Sequence, residues 1–208
     1  MKMLRNFTIR FVMLTILGIF CVMWAGVGLY STWSLSRVSD GNDVDRQLVR
    51  QMTVLSQGND QYFRFVTRLS RAMEVKAAGG TPDLAPAQQA LDNMSKKLAE
   101  MKAISPGPMD EKVSAQVIST WQALLDRGVT PQMAQAKQAT LEGYRQHANN
   151  VTPPLSRAFG SAAENFNNTA AKALDSTRVV VDGLTSMTRT VIITATIVGL
   201  LILLFTDR

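Results

Sequence analysis

The chain has few of the residue types that most often carry chemistry. Its 208 residues include one cysteine, Cys21, and one histidine, His147. An internal disulfide therefore cannot form, and a metal site or a Ser-His-Asp triad lacks the side chains it needs. Gly79-Gly80 lacks the following Lys-Ser/Thr pair of a phosphate-binding loop. We expect a solvated His147 and a protein that is not an enzyme and has no metal and no cofactor.

Clustered charge and strand patterning are also scarce. The formal net charge is +6, but the Lys and Arg residues are scattered and form no basic block. Nucleic acid is therefore not an expected partner, whereas an anionic small ligand or an anionic lipid surface stays open. Because β-branched residues rarely alternate with polar ones between residues 38 and 184, helices are the economical interpretation of that segment.

Two long apolar runs, residues 11–33 and 190–206, contain no charged side chain. Each is about long enough for a helix to cross roughly 30 Å of hydrocarbon. Lys2, Arg5 and Arg10 precede the first run without an acidic residue, whereas the segment after it leans acidic. The positive-inside rule therefore predicts a cytoplasmic N-terminus and an external middle segment. The helical pattern continues past the first run, which favours an uncleaved anchor over a signal peptide.

The middle segment shows helical periodicity between three groups of helix breakers, at 79–83, 105–108 and 128–154. Apolar residues in the first piece recur at steps of four and three, with one polar interruption at Asn59. A second seam begins near Leu155 and continues into the second apolar run. The pattern predicts an all-α fold: an antiparallel up-down-up-down four-helix bundle whose first and fourth helices continue into two transmembrane helices.

Capping residues give the expected helix starts. Asp83 is predicted as the N-cap of the second helix, and the third begins near Asp110. A kink or interruption is expected near residue 130, where Thr130 would cap a restart with proline in its first position, and a short helix is expected over residues 139–148. The fourth helix is predicted to start at Thr152, a second cap followed by proline.

One group of side chains suggests a binding site. Arg64, Arg68 and Arg71 are spaced by four and three residues, so they share one stripe of the first helix. An ordinary solvated basic face explains this stripe as well as a functional site does. The alternative is a site for a carboxylate, which arginine recognises with paired hydrogen-bond donors.

The layout and a short motif resemble a known family. An uncleaved first span, a Thr67-Arg68-Leu69-Ser70-Arg71 stretch, a Thr-Pro start to the fourth helix and a second span are together similar to the N-terminal half of a bacterial methyl-accepting chemotaxis receptor. The resemblance is to receptors with a four-helix-bundle periplasmic domain, such as those for aspartate, serine and citrate.

The resemblance implies a homodimer that pairs through its first helices. It also implies an anionic or zwitterionic ligand bound across the interface, between first-helix arginines and a threonine at the start of the fourth helix. Arg71 matches the arginine that follows Leu-Ser, and Thr152 matches the threonine. Arg64 and Arg68 lie nearby without the family's spacing, and Val75 stands where a distal arginine is expected. The expected ligand-binding residues are therefore Arg64, Arg68, Arg71 and Thr152.

The resulting prediction is a transmembrane chemoreceptor sensory module in the bacterial inner membrane. Expected partners are a carboxylate or amino-acid ligand or a periplasmic binding protein, membrane lipid, and a second copy of the chain; kinase and adaptor proteins would need an output region absent here. The input half of a sensor histidine kinase and a structural membrane protein without a ligand remain alternatives. The expected segments are a cytoplasmic N-terminus (1–10), a first span (11–33), a periplasmic ligand-binding domain (34–189), a second span (190–206) and the start of a cytoplasmic part (207–208).

Overall fold

The computed structural model describes residues 2–138 and 140–206, which are helical almost throughout and include no strand. The all-α prediction is confirmed. Residues 207–208 and the expected start of the short helix at 139 lie outside the described residues. The elements are α1 (Lys2–Ala77), α2 (Ala85–Ile104), α3 (Glu111–Ala123), a π-helical turn (Leu124–Val129), α4 (Thr130–Gln138), α5 (Leu141–Asn150) and α6 (Thr152–Thr206).

The chain divides into two compact units, and Val44–Asp175 forms the first, here called the bundle unit. Within it, α1 and α2 run in opposite directions. Arg68 of α1 donates to the Pro86 carbonyl at the start of α2, 3.0 Å away. Arg50, earlier in α1, pairs with Glu100 near the end of α2 at 3.6 Å. Contacts that reverse their order along the two helices require an antiparallel pair.

The third helix of the bundle consists of α3, the π-helical turn and α4 in sequence. Its Trp121 packs against Phe159 of α6 with ring centroids 5.3 Å apart. Farther along, Gln132 of α4 accepts a hydrogen bond from Thr152 at the start of α6. The third helix and α6 are therefore antiparallel too, which completes the predicted up-down-up-down bundle; α5 is an additional short helix.

The core of the bundle unit is apolar and centred on large aromatic side chains. Trp121, Phe65, Phe159 and Phe166 are among its largest fully buried residues. A Cβ at Gly58 would lie 2.0 Å from the Trp121 ring, so α1 approaches the third helix closely only because this position has no side chain.

Two predicted capping sites differ from the observed ones. The α2 N-cap is Leu84, and the Asp83 carboxylate instead accepts from the Ala85 amide at 3.0 Å, so the Asp83 prediction is wrong by one residue. Asp110 does cap α3, accepting from the amides of Lys112 and Val113.

The predicted interruption near residue 130 is present as the π-helical turn, but the restart capped by Thr130 is wrong, because the third helix continues through that residue. Thr130 has helical dihedral angles, and its amide bonds to the Leu125 carbonyl, five residues back. A proline inside an α-helix clashes with the carbonyl four residues earlier and removes one hydrogen bond. The wider π-helical turn accommodates Pro131 without ending the helix.

The second unit comprises the chain up to Asp43 and from Ser176 onward, here called the end unit. The helical stretches Met13–Ala77 and Leu141–Leu201 are each long and apolar enough, by length and composition, to cross a membrane. Inside the end unit the two helices touch. The buried Ser34 hydroxyl hydrogen-bonds the Thr188 hydroxyl. Gly41 lies against Val181, where a Cβ would come within 2.6 Å of the valine methyl.

Candidate functional site

A groove of about 420 Å³ opens in the bundle unit beside the start of α6. Side chains from α1, α4, α5 and α6 line it, so it depends on residues far apart in the chain. Its lining residues are Tyr62, Val66, Ser70, Gln132, Tyr144, Arg145, Ala148, Asn149, Thr152, Pro153, Ser156 and Arg157.

Thr152 lies at the inner wall of this groove and is 3% exposed. As predicted, α6 begins there, but the hydroxyl does not cap the helix. It donates to the Gln132 side-chain oxygen at 2.8 Å. The hydroxyl proton of Thr152 is therefore engaged, and its oxygen can only accept a further hydrogen bond.

Backbone donors are few at the start of α6. A helix N-terminus usually attracts anions through its first free N–H groups. Here Pro153 and Pro154 follow Thr152 and have no N–H. Recognition of an anion in this groove must therefore depend mainly on side chains.

Two arginines provide side-chain hydrogen-bond donors for an anion in this groove. Arg145 of α5 and Arg157 of α6 are the charged side chains among the groove's described lining residues, which include no carboxylate. The phenol groups of Tyr62 and Tyr144 add hydroxyls and aromatic surface. An electropositive, partly aromatic groove of this kind suits an anionic small molecule.

A smaller groove of about 200 Å³ adjoins the first and shares Ser70, Tyr144 and Arg145 with it. Its lining includes one acid, Glu74 of α1. Arg145 therefore belongs to both grooves, with a carboxylate on its far side. This arrangement offers a place for a positively charged group next to the site for an anion.

The three arginines of α1 do not line either groove. Arg64 is exposed and pairs with Asp60 through Nε at 2.7 Å. Arg68 is half-buried and donates to the Pro86 carbonyl, whereas Arg71 is exposed. The groove residues of α1 are Tyr62, Val66 and Ser70, which form a different stripe of the helix. At 3.6 residues per turn, the three arginines lie roughly 140–160° around the helix axis from the middle of that stripe. Within one subunit, the structure does not bring them to Thr152.

Sequence reasoning missed the groove's own arginines and its tyrosines. Arg145 lies in a short polar stretch before the proline-rich start of α6, and Arg157 is an isolated base. The available signal for Arg157 was its place, as a basic residue, about one turn after the predicted start of the fourth helix.

His147 is not the solvated side chain expected from the sequence. Its ring is half-buried, and Nε2 lies 2.9 Å from the Gly128 carbonyl oxygen in the π-helical turn. Since a carbonyl can only accept, Nε2 carries the proton. Within the described residues, no group of three or more His, Cys, Asp or Glu side chains is placed to hold a metal ion.

A four-helix bundle with a polar groove beside its fourth helix, on a chain with two long apolar helical stretches, fits the class of membrane-bound sensory domains. The model of the family described as the Tar ligand binding domain homologue matches residues 3–174. The chain belongs to this family, the ligand-binding domains of chemotaxis receptors.

A solved structure agrees with this assignment. The 2.0 Å crystal structure of the N-terminal ligand-binding domain of a Salmonella enterica protein, described as a methyl-accepting chemotaxis protein, is 65% identical to this chain. The TM-score is 0.63, and the match covers 64% of this chain and 98% of that one. No curated protein matches the chain significantly.

Proposed function

We propose that this chemoreceptor module binds a small carboxylate or amino acid in the groove beside Thr152. The observation that carries the proposal is the pairing of Arg145 and Arg157 in a groove lined by no acid. Charge-assisted hydrogen bonds from arginine to carboxylate are among the stronger polar contacts available to a protein. Glu74 in the adjoining groove would then favour a ligand that also carries a positive group.

The α1 arginines enter this proposal through a second copy of the chain. They lie on the side of α1 turned away from the groove of their own subunit, so only a second copy of the chain would bring them to a groove. Arg71 is the strongest candidate because it is exposed and matches the family's arginine. Arg64 and Arg68 would flank it, although each already has a bonding partner.

Signal transfer would use the continuity of α6. This helix runs from Thr152, in the groove, through the second apolar run to Thr206. A ligand that binds one conformation better than another shifts α6 along or about its axis, and a stiff helix carries that shift without unfolding. The output would control chemotaxis signalling.

The membrane arrangement proposed here has two inner-membrane spans, a cytoplasmic N-terminus and a periplasmic bundle unit. It rests on the flanking charges of the first apolar run and on the two helices long enough to cross a bilayer. Cysteine labelling tests it in a Cys21→Ser background. A cysteine at Ser95 should react with a membrane-impermeant reagent once the outer membrane is opened, and one at Asn6 should not. The reverse pattern would end this topology.

The ligand site is tested by substitution of Arg71. Arg71→Ala should remove a charge-assisted hydrogen bond worth about 1.5–3 kcal/mol, or roughly ten- to a hundredfold in affinity. Helix content measured by circular dichroism should not change. Arg37→Ala is the control, since Arg37 lies in the end unit over the Trp33 ring. Equal binding by both variants would reduce the α1 arginines to a solvated face, and Arg145→Ala would then test the groove alone.

Membership of the chemotaxis-receptor family supports this function over the input half of a sensor histidine kinase. A periplasmic binding protein is the second candidate partner, and a binding assay on the purified chain separates the two modes. Direct binding makes the purified chain sufficient for ligand affinity, whereas docking of a binding protein requires that protein to be added.

A further inference from the structure

Helix α5 supplies a third of the groove wall and is short, with Leu141 and Ala148 packed only partly buried against the core. Tyr144, Arg145, Ala148 and Asn149 line the groove, while Tyr144 is the residue of this ten-residue helix that is buried. Its N-cap residue, Thr140, forms no side-chain capping bond. A helix this short is marginal on its own, so its position depends on contacts with its neighbours.

His147 provides the polar contact to the third helix. It lines neither groove, and its Nε2–H donates to the Gly128 carbonyl at 2.9 Å. Within the described part of α5, no other side chain hydrogen-bonds to α3, the π-helical turn or α4. Apolar contacts of Leu141, Tyr144 and Ala148 and the polar contact of His147 thus hold the same helix.

The residue that accepts this bond is also packed against the start of α6. Gly128 is buried, and a Cβ there would lie 3.1 Å from a Leu124 methyl, 3.5 Å from a Leu155 methyl and 3.7 Å from the Thr152 methyl. One turn later, Gln132 accepts the bond from Thr152. The π-helical turn and the following helical turn therefore contact both α5 and the first turn of α6.

We propose that His147 is a positioning residue for the ligand groove. By bonding to the π-helical turn, it keeps Arg145 and Tyr144 of α5 at a fixed distance from Thr152 and Arg157 of α6. The proposal rests on the proposed function for its biological meaning, because a groove wall matters only where a ligand binds. The contact itself does not depend on any ligand.

Hydrogen–deuterium exchange of the full chain in detergent micelles, without ligand, tests the contact directly. His147→Leu keeps similar volume but removes the donor. Exchange of the hydrogen-bonded amides in residues 144–150 should become roughly five- to tenfold faster, as expected for the loss of one hydrogen bond that opposes local opening. Exchange in α2 should be unchanged.

Two further variants separate positioning from general destabilisation. His147→Gln places an amide N–H near the position of Nε2 and should restore slow exchange in α5. Gln146→Leu, at the exposed neighbouring position, should have no effect. Unchanged α5 exchange in His147→Leu, an equal rise in α2, or failure of glutamine to restore protection would each overturn the proposal. None of these outcomes depends on whether a carboxylate binds, so the proposed function is tested separately.

Discussion

The bundle unit and the end unit use the same apolar residue types in opposite ways. In the bundle unit, Leu69 and Phe166 are fully buried. In the end unit, Val22 and Leu29 are each 75% exposed. Large contiguous apolar surfaces are rare on soluble monomers, so the exposed apolar helices of the end unit fit a membrane protein. Composition alone identifies a helix as apolar. Whether its apolar side chains are buried or exposed indicates whether the helix packs in a protein core or suits a lipid surrounding.

Polar groups follow the same division. In the bundle unit, the buried Gln51 amide donates to the Ile104 and Pro106 carbonyls and ties α1 to the α2–α3 loop. In the end unit, the buried Ser34 and the Thr188 hydroxyl satisfy each other between α1 and α6. The bundle is therefore fixed by a core, and the end unit by close helix contacts.

The largest expected difference comes from truncating an apolar side chain in each unit. Phe166→Ala should lower the free energy of unfolding of the bundle by about 3–5 kcal/mol, because it leaves a cavity in a close-packed core. Leu29→Ala should leave the bundle transition unchanged. Chemical denaturation of the full chain in micelles, followed by circular dichroism, measures both. Similar losses in the two variants would contradict the division into a packed unit and a lipid-facing unit.

The second-largest difference is expected when a charged residue replaces an exposed apolar residue in each unit. Val22→Arg should oppose membrane insertion by about 2.5–3.5 kcal/mol. Val49→Arg, at a 45% exposed position of the bundle unit, should insert as well as the unmodified chain. Membrane fractionation and protease protection report the inserted fraction. Normal insertion of Val22→Arg would show that the first apolar run does not cross the bilayer.

Loss of the inter-helix hydroxyl pair should have a smaller effect. Ser34→Ala should weaken the α1–α6 contact of the end unit by about 1 kcal/mol, the usual net contribution of one hydrogen bond. Thr188 keeps its bond to the Leu184 carbonyl, so it is not left unsatisfied. Titration with a denaturing detergent in bicelles should show the shift. Ser56→Ala, at an exposed position of the bundle unit, is the matched control and should cause no change.

The smallest expected effect is a pH dependence in the bundle unit. The hydrogen bond from Lys97 lowers the pKa of Glu100, with further help from the charges of Lys97 and Arg50. The stabilisation is present above the ordinary glutamate pKa and is lost as pH falls through the lowered value. Both bridges are partly exposed, so Glu100→Gln should cost at most about 1 kcal/mol at pH 7. Denaturation at pH 7 and pH 3 should show the variant and the unmodified chain converging at the lower pH; a constant difference would reject the ion pair as its cause.

The sequence predicted the elements that depend on local signals. Periodicity located α1 and α6, the Asp110 side chain marked the start of α3, and Thr152 with two prolines marked the start of α6. Each of these signals lies within a few residues of the structure it specifies.

The groove could not be predicted in the same way. Arg145, Arg157 and Tyr62 meet because three separate helices pack together, and no short-range pattern encodes that meeting. The π-helical turn was also unexpected, since Thr130-Pro131 has the usual form of a helix start, yet the helix continues through it. The Gly128 carbonyl that accepts the hydrogen bond from His147 lies in this same turn.

The groove beside Thr152 is proposed to recognise a carboxylate. A thermal-shift screen of the full chain in micelles against amino acids and mono-, di- and tricarboxylates tests it most directly. A true ligand at a hundred times its dissociation constant should stabilise the bundle unit by about 2.7 kcal/mol, which for a unit of this size is a rise of several degrees in the unfolding midpoint. The same ligand should give little or no rise with Arg145→Ala. An absence of any shift across the panel, or an equal shift in Arg145→Ala, would contradict a carboxylate site in this groove.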